Sequence, residues 1–177
     1  TSSYRREFQI KNIRPDIRCK LIRGNVDTRI KKLNEGYYDA IILSYAGIKS
    51  LNLIDQISEI FSVTNIIPSA GQGIISLQCR EADSRIISIL KKINHNETYL
   101  RANAERNVLK VLEGDCETAV GAHAVVQGKE IFLEAELFSL DGKLRFFEKK
   151  TSKIEKAEEL GKEVGQILKT KSKNTYK

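Results

Sequence analysis

Proline and cysteine are scarce in this chain, and long apolar runs are missing. Two prolines and 11 glycines in 177 residues exclude collagen-like and proline-rich disordered chains. No stretch approaches the roughly 18 apolar residues of a membrane-spanning helix. No short apolar stretch follows a basic start, so no secretory signal is read. Three cysteines, Cys19, Cys79 and Cys116, form neither a disulfide framework nor a zinc signature, and they fit a reducing compartment. His95 and His123 lie far apart, so no metal site is expected. The chain opens without methionine, as a processed chain or the C-terminal piece of a longer one would.

Apolar residues make up 41% of the sequence, enough for a buried core in a chain of this length. The net charge is +7, and its distribution matters more than its size. Residues 1–32 hold ten Lys/Arg against three Asp/Glu, whereas residues 33–177 hold twenty of each. A positive segment focused at one end suits an anionic partner: nucleic acid, phosphates or polycarboxylates.

Thr1, Ser2 and Ser3 are helix-capping types, and a helix over 4–13 ends at Arg14-Pro15. Residues 17–22 alternate as a strand, Gly24 sits in a turn, and 26–34 reads as a helix stopped by Gly36. A strand is expected over 40–44, with helices over 46–51 and 54–61. Alternation of helix and strand predicts an open, mostly parallel α/β sheet, whose ligands sit at strand C-termini and helix N-termini. Extended pieces are expected at 66–69 and 74–78, around the glycine-rich bend 70–73. A helix follows over 83–93, then a capping box at 94–97 and a helix to Leu112 stopped by Gly114. From there the pattern is three strands, 119–126, 129–140 and 143–150, with Asp141-Gly142 as a hairpin signal. An amphipathic helix from Ile154 closes a small α+β domain over about 96–177, and the polar tail after Lys169 is expected to fray.

Three groups of residues could carry chemistry. Arg5 and Arg6 open a helix, Arg23 follows a strand, and Arg29 lies in the first turns of the next helix. Guanidinium groups beside helix N-termini grip carboxylate or phosphate bidentately; a solvated basic face is the plainer reading. Cys116 sits in a short glycine-bounded segment, where the flanking Asp115 and Glu117 disfavour a freely ionised nucleophile. A covalent anchoring point fits it better, with an ordinary loop cysteine as the alternative. The bend Ala70-Gly-Gln-Gly73 could bring backbone close to a ligand or act as a hinge. Asn96-Glu-Thr98 matches a glycosylation sequon by chance.

At these residues the chain resembles the porphobilinogen deaminase (hydroxymethylbilane synthase) family. The matching stretches are Thr1-Ser-Ser-Tyr-Arg-Arg6, Leu21-Ile-Arg-Gly-Asn-Val-Asp-Thr-Arg29, Tyr38-Asp-Ala-Ile-Ile-Leu43, Ala46-Gly47, Ala70-Gly-Gln-Gly73, Glu105-Arg106 and Leu112-Glu-Gly-Asp-Cys116. The resemblance implies a transferase of haem and tetrapyrrole biosynthesis. In it, a dipyrromethane cofactor is joined by a thioether to Cys116, and four porphobilinogen units are deaminated and added to that primer. Hydrolysis then releases hydroxymethylbilane. Each pyrrole carries an acetate and a propionate, so the growing chain is a polyanion that calls for guanidinium groups. By motif match, Ser3, Arg5, Arg6, Arg23 and Arg29 would bind those carboxylates, with Thr1 and Gln72 nearby.

The implied architecture is a periplasmic-binding-protein-like α/β open sheet followed by the small α+β domain with its three-stranded antiparallel sheet. Residues 1–67 would form most of a second domain, 68–95 a crossover strand and helix belonging to a first domain, and 96–177 a third domain bearing Cys116. The family's N-terminal domain, with its proton-handling aspartate, has no counterpart here, so no catalytic residue is expected in this chain. A fragment, or one of two chains of a cleaved enzyme, is therefore expected, partnered by the N-terminal remainder and monomeric when complete. Ser50, beside Lys49, stands where the family usually has a further Arg. The expected compartment is the cytoplasm, or an organelle if a transit segment has been removed, with no membrane and no nucleic acid as partner. The competing readings are a basic nucleic-acid-binding module, which lacks a stacking motif, and a non-catalytic anion-binding domain.

Overall fold

Helices form where the sequence supplies caps. The computed structural model describes residues 1–115 and 117–177. Ser3 Oγ accepts from Arg6 N to open α1 (Tyr4–Ile13), which Arg14 closes ahead of Pro15. Asn25 caps α2 (Val26–Asn34) by accepting from Thr28 N at 2.9 Å, and Gly36 turns away at φ +79°. Ser44 caps α3 (Tyr45–Ser50), and Asp83 caps α4 (Ser84–Ile93). The next helix, α5 (Asn96–Leu112), is capped by His95, whose Nδ1 accepts from Thr98 N. Its left-handed terminal residue is Glu113, at φ 54°, rather than the expected Gly114.

The C-terminal strands alternate apolar and polar residues, so one sheet face turns inward. β1 (Val120–Gln127), β2 (Glu130–Phe138) and β3 (Arg145–Lys153) form an antiparallel sheet in the order β1-β2-β3. Val120 is opposite Leu137, and Ala135 is opposite Glu148. Ile131, Leu133, Ala135 and Leu137 meet Ala104, Val108 and Leu112 of α5, and Leu160, Val164 and Leu168 of α6 (Ala157–Ser172). α5 and α6 approach closely at Gly161, where a Cβ would collide with the Ala104 carbonyl. The expected frayed tail is docked instead: α6 runs to Ser172, and buried Tyr176 donates its hydroxyl to Leu112 O at 3.1 Å. An aromatic ring next to an open backbone carbonyl overrode the polar character of the neighbouring residues.

The first 95 residues depart from the expected open sheet. The strands predicted at 17–22, 40–44 and 74–78 join no ladder, and the helix predicted over 54–61 is a single 3₁₀ turn, Ile54–Gln56. Among the described residues the three-stranded sheet is the only one. A parallel strand is stable only beside neighbours, and these runs have none here. Their carbonyls are taken by other donors: Lys20 O by the Thr1 amine, Leu21 O by Tyr38 Oη, Ile22 O by Ser2 Oγ and Ile42 O by Arg6. Ile75 is 90% exposed, which a paired central strand would not allow. α1 lies on the sheet's other face, its Phe8 ring 5.8 Å from that of Phe138. No helix among the described residues is long and apolar enough to cross a membrane.

Candidate functional site

The basic segment folds so that several of its charges converge at the start of α1. The Thr1 amine donates to Lys20 O at 3.0 Å, which fixes the helix N-terminus on the 20–22 run. Ser3 is committed to its capping role. Arg6 donates from Nη1 to Ile42 O at 3.1 Å, and Arg29 from Nε to Gly24 O at 2.7 Å. Burial lowers the proton affinity of the Arg6 guanidinium, and nearby Arg29 lowers it further. Burial likewise lowers the Thr1 amine, where Arg29 and Arg6 add to the effect against Cys19 and Glu7. Like charges held this close repel, and an anion between them would relieve that cost. Among the described residues, no carboxylate forms an ion pair with Arg5, Arg6, Arg23 or Arg29; the neighbouring acids Glu7 and Asp16 are taken by Lys11 and Arg14.

Arg5 points the other way from the same helix turn. It is buried, and its Nη1 donates to Ile67 O at 2.6 Å. Gln9, one turn later, gives the same carbonyl a second bond at 3.0 Å. Burial lowers the Arg5 pKa to about 10, with Arg6 adding and Glu136 opposing. Glu136 is itself buried in β2 and pairs with Arg145 at 2.9 Å.

The remaining candidates make no side-chain hydrogen bond to Arg6 or Arg29 among the described residues. Arg23 is exposed, with its carbonyl held by Lys32 Nζ. Gln72 is exposed in the 70–73 turn, where its Oε1 accepts from Ser69 Oγ at 3.2 Å. Ser50 donates to Gly47 O, and Lys49 beside it is exposed. Cys116 lies outside the described residues. Next to it, Asp115 Oδ1 accepts from Glu117 N and Thr118 N at 2.9 and 3.0 Å, bonds that hold its carboxyl below the usual range. A groove of about 550 Å³ lined by Gln78, Cys79, Arg80, Asp83 and Ile86 contains none of the candidate residues.

Glu105, matched in the sequence only as part of Glu105-Arg106, proves to be a buried carboxylate with a bonding role. Glu105 Oε2 accepts from Gly71 N at 2.7 Å and its Oε1 from Ala124 N at 2.8 Å. Its signal was present in the sequence: Glu105 falls on the buried stripe of α5 with Ala104, Val108 and Leu112.

Comparison with known proteins gives this geometry a context. Residues 1–88 match the family model of the porphobilinogen deaminase dipyromethane cofactor binding domain, and residues 99–170 match that of the porphobilinogen deaminase C-terminal domain. A porphobilinogen deaminase of Desulforamulus reducens is 42% identical over 168 residues, covering 95% of this chain and 54% of its own length. A porphobilinogen deaminase of Coxiella burnetii strain Dugway 5J108-111 is 40% identical over 168 residues, covering 95% of this chain and 55% of its own length. The chain thus spans about half the length of the curated relatives it matches.

Proposed function

The chain belongs to the porphobilinogen deaminase family, and from that premise we propose that it forms the primer-binding half of a hydroxymethylbilane-forming transferase. Four porphobilinogen units are deaminated and joined in turn to a dipyrromethane attached at Cys116, and hydrolysis releases the linear tetrapyrrole. The proton-handling group implied by the family resemblance is assigned to the part of the relatives' length not spanned here. The domains are then 1–67, 68–95 and 96–177. The first is a periplasmic-binding-protein-like open sheet whose unpaired runs 17–22 and 40–44 pair with strands from that other half. The thiols Cys19 and Cys79, unpaired among the described residues, are in keeping with a reducing compartment, the cytoplasm or an organelle.

The observation that carries this reading is the proximity of the half-buried Arg6 and Arg29 guanidiniums, neither of which pairs with a carboxylate among the described residues. A polycarboxylate fits such a cluster, because each acid group neutralises a charge that the fold leaves unneutralised. When bound, the dipyrromethane supplies the end to which pyrrole units are added. Arg6, Arg23 and Arg29 hold its acetates and propionates, while Thr1, Ser3 and Gln72 donate neutral hydrogen bonds. Arg5 contributes its charge from behind and secures α1 to Ile67. The nucleic-acid reading gains no support: the segment's exposed ring near the cluster, Tyr4, tilts against Phe8 at 6.0 Å instead of standing free for bases.

Mixing the chain with the N-terminal half of a relative and porphobilinogen tests the proposal. Hydroxymethylbilane should form only when both halves are present. Fixation of porphobilinogen by neither half nor their mixture, with both halves shown to associate, would refute it.

A further inference from the structure

We propose that Glu105 is a positioning residue, whose buried carboxylate locks the 70–73 turn, and with it Gln72, onto the outer edge of β1. β1 is an edge strand, so its outward N–H groups have no strand to bond. Two of them are satisfied from outside the sheet. Ala122 N donates to Pro68 O at 2.9 Å, and Ala124 N donates to Glu105 Oε1 at 2.8 Å. The second carboxylate oxygen takes Gly71 N at 2.7 Å. One side chain therefore ties the glycine-rich turn to the strand through both of its oxygens.

The surroundings make this lock specific. Arg101, one helical turn before Glu105, donates from Nε to Ala124 O at 2.7 Å, which fixes the same peptide from its other side. A Cβ on Gly121 would lie 3.0 Å from Ile67 O, so the 67–71 segment runs directly along the strand. Ile67 O in turn receives Arg5 and Gln9 from α1. The segment is thus the joint at which α1, β1 and α5 meet. Glu105 is only 3% exposed. Burial raises its carboxyl affinity for protons, while the two backbone bonds and Arg101 oppose that rise. Burying a carboxylate costs folding free energy, but here it accepts from two amides that an apolar side chain would leave unsatisfied, and the return is geometric. α5 carries Glu105 on one side and leads at its C-terminus into the segment containing Cys116. Hence the turn bearing Gln72 is tied to the same helix whose C-terminus is Leu112. The link to pyrrole carboxylates rests on the family reading; the lock itself does not.

Amide hydrogen exchange on the 177-residue chain, with Glu105→Ala and Glu105→Gln, tests the lock. In Glu105→Ala the Gly71 and Ala124 amides should exchange at least about tenfold faster than in the wild type, a loss of ~1.4 kcal/mol of local protection, while Leu133 and Ala135 in the central strand keep theirs. Glu105→Gln, with one acceptor left, should release one of the two amides and keep the urea midpoint near the wild-type value. Unchanged protection at both amides would overturn the proposal. So would acceleration at Leu133 and Ala135 equal to that at Gly71, which marks a general loss of stability. Failure of the associated halves to fix porphobilinogen would dismiss the functional reading and leave the exchange result to decide the lock.

Discussion

Replacing Arg5 by Met should lower folding stability by about 1–2 kcal/mol, and the structure sets that size. The substitution removes a charge-assisted hydrogen bond of 2.6 Å to Ile67 O. Such bonds contribute about 1.5–3 kcal/mol when the acceptor is left unpaired. Here it is not, because Gln9 still bonds Ile67 O at 3.0 Å. Glu136 keeps Arg145 at 2.9 Å but loses the favourable charge of Arg5, with its Oε1 already without a partner, which adds to the cost. Relief of guanidinium burial and of repulsion from Arg6 offsets part of the loss, which argues for the lower half of the range. For a chain of this size the expected fall in Tm is about 2–8 °C. Arg6→Met is the informative contrast. It loses the 3.1 Å bond to Ile42 O but lifts a like-charge clash with Arg29, so its Tm should fall no more than that of Arg5→Met. Porphobilinogen binding should nonetheless weaken about 10- to 100-fold, the equivalent of one charge-assisted bond. Paired thermal melts and titrations check both variants. An Arg5→Met chain as stable as the wild type, or an Arg6→Met chain destabilised more than Arg5→Met, would refute the division of labour between the two neighbours.

Gly161→Ala should cost about 1–3 kcal/mol in a denaturant melt, because its methyl group meets the Ala104 carbonyl across the α5–α6 contact. His123 is held below its ordinary 6.5 by burial, with nearby Arg101 adding and Glu134 opposing. The unfolded chain therefore binds the proton more readily, and folding stability falls as pH drops below 6.5. Melts between pH 7 and pH 5 should show the wild type losing ground to His123→Gln over that window; parallel curves would contradict the assignment. Arg23→Lys keeps the charge but loses the bidentate grip, and should weaken porphobilinogen retention more than Lys32→Arg does. Equal retention by the two variants would remove Arg23 from the carboxylate contacts.

Local signals were legible in the sequence wherever the chain itself supplied the partners. Ser3, Asn25, Ser44 and Asp83 cap their helices by side-chain bonds within three residues, so α1 to α4 begin close to where those residues announce them. The Asp141-Gly142 turn reads as a hairpin signal, and Ile131, Leu133, Ala135 and Leu137 of β2 bury one face against α5 and α6. The parallel strands go unpaired for a physical reason: residues 17–22 and 40–44 have strand chemistry, but pairing depends on neighbours remote in sequence. The docked tail turned on Tyr176 finding Leu112 O, a contact 64 residues away that no local pattern encodes. In the site, the arginines were identifiable by type and spacing. Their orientations were not: adjacent Arg5 and Arg6 end up on a buried joint and a half-buried cluster respectively. Glu105 was hidden because a carboxylate on an apolar stripe reads as an interruption until Gly71 and Ala124 are seen to meet it.

The most direct test of the central claim is the mass of the Cys116-containing peptide from protein purified out of its own cells. A covalent increment on that peptide, giving the colour of a pyrrole with an acidic aldehyde reagent and absent from Cys116→Ala, is the result expected. A bare thiol at Cys116 in protein that turns over porphobilinogen would contradict the account.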